Sequence, residues 1–240
     1  PCPGPPGRPD DESSARHLPA RLQRHVPAER QGSRPPPRAA PAAATLRNTP
    51  ALRHPRRRMR FCPSCGHEVE QSVPPGDNRL RHCCPSCKAI HYQNPKLVLG
   101  TVPVWGDKVL LCKRAIEPRY GYWTLPAGFM ENGESTGEGA ARETLEEAGA
   151  RIALGELFSM LDVPQVEQVH LFFHASLLSP EFDPGPESLE ARLFSEAEIP
   201  WDSLAFMTVT RTLRWFFEDR REGRFRLHTD TIRYQPRNRG

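Results

Sequence analysis

Three glutamates within residues 128–150 have the spacing expected of ligands for a divalent metal ion. The segment reads GFMENGESTGEGAARETLEEAGA. At about 100° per residue around a helix, Glu143, Glu146 and Glu147 share an arc of about 100°. Like charges one turn apart, in the half of a helix where the macrodipole disfavours acids, destabilise that helix. A hard cation such as Mg²⁺ removes this penalty and takes substrate phosphates as further ligands. The alternative is a solvated acidic face.

A second set of residues suited to metal binding consists of two short cysteine motifs. Cys62-Pro-Ser-Cys65 and Cys84-Pro-Ser-Cys87 are separated by 18 residues. This spacing is typical of structural zinc sites, in which four thiolates surround the ion tetrahedrally and leave no position for a substrate. A redox dithiol lacks its usual βαβ context. Cys83 could replace Cys84 as a ligand, but only Cys84 keeps the spacing of the motif.

The glutamates are predicted to lie on a helix over Ser135–Ala148. Ser135 and Glu138 form a capping box, and Gly149 ends the helix. The helical wheel places Leu145, Ala141 and Ala148 on the buried face, opposite the acids.

Strands and a second helix are predicted around this helix. Alternating or continuous apolar runs indicate strands, and Cys112 in one of them is expected to be a small core residue. Mixed strands with two helices predict an α/β or α+β sandwich. The predicted strands are Lys96–Trp105, Lys108–Ala115, Ile152–Val163, Gln168–Leu178 and Ala191–Phe194, and the second helix is Thr208–Arg221.

Residues 128–150 resemble the Nudix box, G-x5-E-x7-R-E-U-x-E-E-x-G-U, and keep each of its fixed positions. Thr144 stands where the family prefers a bulky aliphatic residue. The resemblance implies an α/β fold, the Nudix α/β/α sandwich with a mixed sheet. It also implies hydrolysis of a nucleoside diphosphate linked to another group, with Mg²⁺ or Mn²⁺ as cofactor.

The resemblance also implies roles for individual residues of the box. Glu143, Glu146 and Glu147 would bind the catalytic metal, together with the backbone carbonyl of Gly128. Arg142 would orient these carboxylates through ion pairs. Glu134 would be a supporting residue.

Nudix branches differ in their general base. Glu143 is one candidate, and a glutamate on a later loop is the other, here Glu187 or Glu190. We favour Glu190 as a further ligand or base. For substrate binding, the aromatic loop 120–130 offers Trp123 and Phe129 as rings that could stack on a base; the alternative is that both pack the loop against the core.

A wider resemblance covers about residues 59–240. A zinc ribbon, then YQNPK and PRYGYWTLPAGFMENGES, is similar to a Nudix group linked to FAD and ADP-ribose pyrophosphatase activity. The alternative branch is the NADH pyrophosphatase and NAD-decapping group, whose SQPWPFP-type motif does not appear in FSMLDVPQVEQVHLFF. A non-catalytic nucleotide sensor is a third alternative, and the intact set of three glutamates argues against it.

Three segments are expected. Composition predicts a disordered Arg/Pro-rich arm over 1–58, the cysteine motifs indicate a zinc ribbon over 59–94, and the resemblance implies a Nudix domain over 95–240. The arm holds 12 Arg, no Lys, 4 acids and 13 of the 27 Pro, too little apolar surface to fold. Because Met59 is the first Met, the arm is expected not to be translated. The alternatives are a transit peptide and a basic arm that binds nucleic acid or an anionic membrane.

Charge and hydropathy limit the partners. Residues 59–240 hold 21 basic and 25 acidic residues. This part of the chain is therefore mildly acidic, which argues against nucleic acid as a partner. No apolar run reaches the roughly 18 residues of a membrane span. We expect a cytoplasmic protein, or a plastid one if the arm is a transit peptide, acting on a small-molecule nucleotide. Nudix relatives are often dimers, so a homodimer is an open alternative.

Overall fold

A mixed β-sheet with one helix on each face forms the centre of the computed structural model, which describes residues 59–233. The predicted α/β sandwich is confirmed. The disordered arm predicted over 1–58 lies outside the described residues. Within the described part, the sheet has the order β10-β5-β4-β9-β8-β11, with β6 beside β5 and β7 beside β4. Its elements are β4 (Lys96–Trp105), β5 (Lys108–Arg114), β6 (Trp123–Thr124), β7 (Ala127–Phe129), α1 (Thr136–Ala148), β8 (Ile152–Val163), β9 (Gln168–Leu177), β10 (Ser188–Phe194), α2 (Met207–Glu222) and β11 (His228–Thr231).

A separate three-stranded antiparallel sheet precedes this one. It has the order β1-β2-β3, in which β2 pairs with both neighbours. Its strands are β1 (Glu70–Ser72), β2 (Arg81–Cys83) and β3 (Ile90–His91). Such short strands bury little apolar surface, so this segment depends on its cysteines for stability.

The predicted strand bounds agree closely with the observed ones where the apolar pattern is long. Strands β4 and β8 have the predicted bounds, and β5 and β9 end one residue early. Strand β10 begins three residues before its predicted start. Strand β11 was not predicted, because HTDT carries no apolar pattern; it pairs in parallel with β8.

One face of the sheet is covered by α2 and contains the larger core. Aromatic and branched side chains fill it, and Phe216 is fully buried with its ring 5.2 Å from that of Phe217. Burying a large apolar side chain contributes about 1.5–3 kcal/mol, so this face supplies much of the stability. The cluster consists of Val102, Val109, Leu111, Trp123, Leu125, Phe158, Phe172, Phe194, Ile199, Leu204, Val209, Leu213, Phe216 and Phe217.

The other face of the sheet is covered by α1, which is buried in a different orientation from the predicted one. Leu145 is 51% exposed, whereas Thr144 is fully buried and Glu147 is 6% exposed. The wheel assumed that apolar residues set the buried face. In the structure small residues bring the helix close to the sheet, so Glu147 lies inside the contact and Leu145 faces outward. The buried residues of the helix are Gly139, Ala140, Thr144, Glu147 and Ala148.

A buried hydroxyl pair joins α1 to β4. Thr144 Oγ1 lies 2.7 Å from Thr101 Oγ1 and donates to the carbonyl of Ala140 at 2.8 Å. Both threonines are fully buried. The one departure of this chain from the Nudix box therefore has a partner on the sheet and does not loosen the helix.

Replacing one member of this pair should destabilise the protein more than replacing both. In Thr144→Val the Thr101 hydroxyl loses its buried partner, which should lower the free energy of unfolding by about 1–3 kcal/mol. The double variant Thr101→Val/Thr144→Val should recover most of that loss. Urea unfolding of the four members of the cycle measures the coupling. A Thr144→Val protein as stable as wild type would contradict this role.

Candidate active site and zinc centre

Arg142, in the middle of α1, is the centre of a network of carboxylates. Its Nε and Nη2 donate to the two oxygens of Glu134 at 2.9 and 2.8 Å. Its Nη1 donates to Glu143 at 2.8 Å and to Glu146 at 3.0 Å. The guanidinium thus holds three glutamates from two elements in fixed positions, the arrangement that a bidentate Arg fork favours.

The Arg142 network also sets the protonation of its members. The hydrogen bonds from Arg142, with a further one from the Glu131 amide, lower the pKa of Glu134 to about 2. The hydrogen bonds to Glu134 and Glu143 in turn raise the pKa of Arg142. Glu134 therefore stays ionised and completes the network as its anchor.

Glu143 lies against the backbone of Gly128 on β7. A Cβ at position 128 would overlap the Glu143 carboxylate, so only glycine allows this approach. Burial raises the pKa of Glu143, against the hydrogen bond from Arg142 that lowers it. The glycine of the box is thus explained by its contact with Glu143.

Glu147 is the most buried of the three glutamates on α1. Its Oε2 accepts a hydrogen bond from the Ala127 amide at 3.1 Å. Burial raises the pKa of Glu147 to about 7, and the charges of Glu143 and Glu187 add to this rise. A buried carboxylate with one neutral donor remains poorly compensated.

The residues fit a hard divalent cation. Glu143 and Glu147 have carboxylates with raised pKa values beside the backbone of Gly128, and Glu146 is 58% exposed one turn away. Oxygen donors of this kind are those that Mg²⁺ and Mn²⁺ prefer. A cation here would compensate charge that Arg142 alone does not neutralise.

A loop over 183–187 brings one further carboxylate toward this cluster. The Gly185 amide donates to the Glu147 carbonyl at 3.2 Å, and a Cβ at Gly185 would overlap the carbonyl of Glu146. The Glu187 carbonyl accepts from the Ala115 amide at 2.8 Å. The loop is thus fixed to the C-terminal end of α1 and to the end of β5, and the charge of Glu187 acts on both Glu143 and Glu147.

The structure does not bring Glu190 to the cluster. Glu190 is paired across strands with Lys113, whose ammonium lies 5.7 Å from the centre of the Trp123 ring on the α2 side. Paired residues of an antiparallel ladder project to the same face. Because Glu190 pairs with Lys113, its side chain projects to the face opposite α1. The sequence alone did not indicate this pairing.

Arg114 is a site residue that the sequence reasoning missed. It is 9% exposed at the end of β5, and its Nε donates to the Pro118 carbonyl at 3.0 Å. Burial lowers the pKa of Arg114, while the charges of Glu147, Glu187 and Glu117 raise it. A buried cation between these carboxylates compensates part of their charge. Its signal in the sequence is weak, because Arg114 follows Lys113 at the end of β5 and the two resemble an ordinary basic strand end.

Of the two aromatic residues proposed to contact substrate, the structure leaves only Phe129 accessible. Phe129 is 45% exposed, and its carbonyl accepts from Arg142 Nη2 at 3.1 Å. Trp123 is 9% exposed and packs edge-on against Phe194 at 4.8 Å. The expectation that Trp123 stacks on substrate is therefore corrected: its ring lies in the core because β6 pairs with β5.

The four cysteines of the two motifs form one cluster. The Sγ atoms of Cys62 and Cys87 are 3.6 Å apart, those of Cys65 and Cys84 are 3.4 Å apart, and all four lie within 4.8 Å of one another. Ligands about 2.3 Å from a tetrahedral zinc ion would have separations of this size. Cys83 lies outside the cluster, with its thiol toward the Ser72 carbonyl.

The expectation that Cys112 is a small core residue is confirmed. Cys112 is fully buried, and burial raises the pKa of its thiol to about 12. A thiol held protonated in the core is unreactive, as expected of a small core residue.

Comparison with known proteins gives the family. Residues 60–93 match the zinc-ribbon family model described as Nudix N-terminal, and residues 95–216 match that of the NUDIX domain. The chain belongs to the Nudix family. The crystal structure of a NUDIX hydrolase from Nitrosomonas europaea is similar, with 52% identity and a TM-score of 0.71, over 72% of this chain and 99% of that one.

Two curated relatives of this Nudix chain have different names. An ADP-ribose pyrophosphatase of Methanocaldococcus jannaschii is 30% identical over 52% of this chain and 76% of its own length. A NAD-capped RNA hydrolase of Stutzerimonas stutzeri is 32% identical over 69% of this chain and 58% of its own length. The chain thus spans only part of the length of the NAD-capped RNA hydrolases that it matches.

The described residues of this Nudix chain include no helix with the length and apolar character needed to cross a membrane.

Substitution of the cysteine ligands should release zinc. Cys65→Ser and Cys87→Ser should each lower the zinc content and the stability of residues 59–94, because metal binding supplies most of the folding energy of such small sites. Metal analysis by mass spectrometry and thermal unfolding measure the two effects. Cys83→Ser is the matched control and should keep its zinc; equal zinc in all three variants would contradict the assignment.

His170 should make the Nudix fold sensitive to acid. Burial lowers the pKa of His170 to about 4, so between pH 6.5 and 4 the unfolded chain binds this proton and the folded chain does not. Stability should therefore fall as the pH falls through this window, by about 3 kcal/mol in total. His170→Gln should remove this component of the urea unfolding profile, whereas the exposed His67→Gln should not. Parallel wild-type and His170→Gln profiles would contradict it.

Proposed function

We propose that this Nudix chain is a pyrophosphatase that hydrolyses the diphosphate bond of a dinucleotide-type substrate, FAD or ADP-ribose, and releases AMP. The observation that carries the proposal is the set of carboxylates held by Arg142 against Gly128. A protein that only senses a nucleotide would have no need to concentrate these like charges beside a glycine backbone. The names of the relatives support hydrolysis of a nucleoside diphosphate derivative.

Glu143, Glu146 and Glu147, with the Gly128 carbonyl, would hold Mg²⁺ or Mn²⁺. When bound, such a cation neutralises diphosphate charge and lowers the pKa of a bound water. Arg142 keeps the carboxylates in position through its ion pairs with Glu143 and Glu146. Because these groups are fixed before substrate arrives, they need little rearrangement during the reaction.

The general base, or a further ligand, is proposed to be Glu187 rather than Glu190. The anchored loop holds Glu187 near Glu143 and Glu147, as the influence of its charge on both indicates. Glu190 projects to the other face of the sheet, beside Lys113. Glu143 is the second candidate for the base, since burial raises its pKa and a base with a pKa nearer neutral accepts a proton more readily.

The second half of the substrate is proposed to contact Phe129. Phe129 follows Gly128 directly, and its exposed ring lines a cavity of about 320 Å³. This volume is within the range of ligand pockets.

Hydrolysis of NADH or of a NAD cap on RNA is the second candidate function, which the similarity to NAD-capped RNA hydrolases favours. The zinc ribbon is proposed to be structural. Its bounds, 59–94, and those of the Nudix domain, 95–240, stay predictions. A homodimer also stays a prediction.

The chemistry is tested with carboxylate-to-amide variants. Glu143→Gln and Glu147→Gln remove charge that a hard cation requires, and each should lower kcat for ADP-ribose by about a hundredfold or more. Glu187→Gln should also lower kcat strongly. Glu190→Gln is its matched control on the opposite face of the sheet and should leave kcat near wild type.

Chromatographic separation of AMP from ribose 5-phosphate or FMN, over a panel of FAD, ADP-ribose and NADH with Mg²⁺ or Mn²⁺, gives the rates. Circular dichroism checks that each variant is folded. Equal losses in Glu187→Gln and Glu190→Gln would contradict the assignment of the loop carboxylate. Absence of hydrolysis across the panel would favour the sensor alternative.

A further inference from the structure

A lysine lies over the exposed aromatic ring beside the candidate active site. The Lys96 ammonium is 4.8 Å from the centre of the Phe129 ring. Both side chains line the cavity of about 320 Å³, together with Leu97, Met130 and Glu131. The same ring that could stack on a substrate is thus already in contact with a positive charge.

Backbone pairing places Lys96 and Phe129 on adjacent strands. Lys96 is the first residue of β4, and its amide donates to the Glu167 carbonyl at 2.9 Å. Two residues further along β4, Val98 pairs with Phe129 of β7, and the Met130 amide donates to the Leu97 carbonyl at 3.1 Å. Strand pairing therefore brings the backbones of Lys96 and Phe129 together, and the exposed Lys96 side chain lies over the exposed ring.

The charges around the cavity come from few groups. Among its lining residues, Lys96 is the one cation and Glu131 the one anion. The Glu131 amide donates a hydrogen bond to Glu134, whereas the Glu131 carboxylate makes no hydrogen bond or ion pair within the described residues. His170 pairs with Val98 from the other side of β4, and burial lowers its pKa to about 4, so it is neutral near pH 7.

We propose that Lys96 is a specificity residue that disfavours substrates with a cationic ring in this cavity. A pyridinium ring stacked on Phe129 would compete with the Lys96 ammonium for the negative face of the aromatic ring, and the two positive charges would repel each other. Neutral or electron-rich groups, such as a ribose, a dihydropyridine or an isoalloxazine, would not. The inference rests on the proposed function, because it assigns this cavity to the second half of the dinucleotide.

NAD⁺ and NADH form a matched pair of probes for this charge. They differ by one hydride, which changes the nicotinamide ring from a cation to a neutral group and leaves the diphosphate and both riboses unchanged. Titration calorimetry of each into the full, zinc-loaded chain, with no Mg²⁺ or Mn²⁺ added, gives their Kd values without turnover. Wild type should bind NADH more tightly than NAD⁺.

The variants separate charge from shape. Lys96→Met keeps the length of the side chain and should lower the ratio of the two Kd values, NAD⁺ over NADH, by about fivefold. Lys96→Arg keeps the charge and should keep the ratio. Lys108→Met is the control for a general loss of positive charge, because Lys108 is exposed and lies beside Glu198 at 3.6 Å; it should also keep the ratio.

The results distinguish this inference from the proposed function. A ratio that falls only in Lys96→Met supports the inference. An unchanged ratio in Lys96→Met, an equal fall in Lys108→Met, or no binding of either probe overturns it. Whether ADP-ribose or FAD yields AMP is measured separately, so a failure of the proposed pyrophosphatase activity would appear there and not in the ratio.

Discussion

The concentration of negative charge on one short helix is the constraint on which the rest of this structure depends. Three glutamates of α1 face the same region, and one of them, Glu147, is almost completely buried. Arg142 neutralises part of this charge and fixes the glutamates, while Glu134 keeps Arg142 in place. The remaining charge is what a hard cation would compensate. Like charges concentrated in this way are unfavourable for the stability of the helix alone.

Close packing of small residues makes this arrangement possible. Gly128 lets Glu143 reach the backbone of β7, and Gly185 lets the loop carrying Glu187 lie on the end of α1. The threonine pair between β4 and α1 replaces the apolar contact that a larger residue at position 144 would make. A glycine approach of this kind cannot tolerate even one added methyl group, because protein interiors have few voids to absorb it.

The two faces of the sheet differ in what they contain. The α2 side holds the aromatic core, including Trp123, and the α1 side holds the carboxylates. At the end of β7, Phe129 follows the Gly128 backbone that contacts Glu143, and the Lys96 ammonium of β4 lies over the Phe129 ring.

The sequence by itself determined the features whose signal is local. Fixed spacing indicated the Nudix box and the cysteine cluster, because both depend on residues held by one helix or by tight turns. The capping box at Ser135 and the bounds of β4 and β8 follow from propensity and apolar pattern. These agree with the structure because nothing distant competes with the local preference.

Only the tertiary structure decided which way individual side chains point. Leu145 is exposed and Glu147 buried because contact with the sheet, not hydrophobicity, selects the buried arc of α1. Strand pairing turns Glu190 to the face opposite α1 and puts Trp123 in the core. Arg114 and Lys96 acquired their roles from strands that bring them beside residues distant in sequence. Each of these outcomes depends on long-range packing, which residue spacing along one chain does not encode.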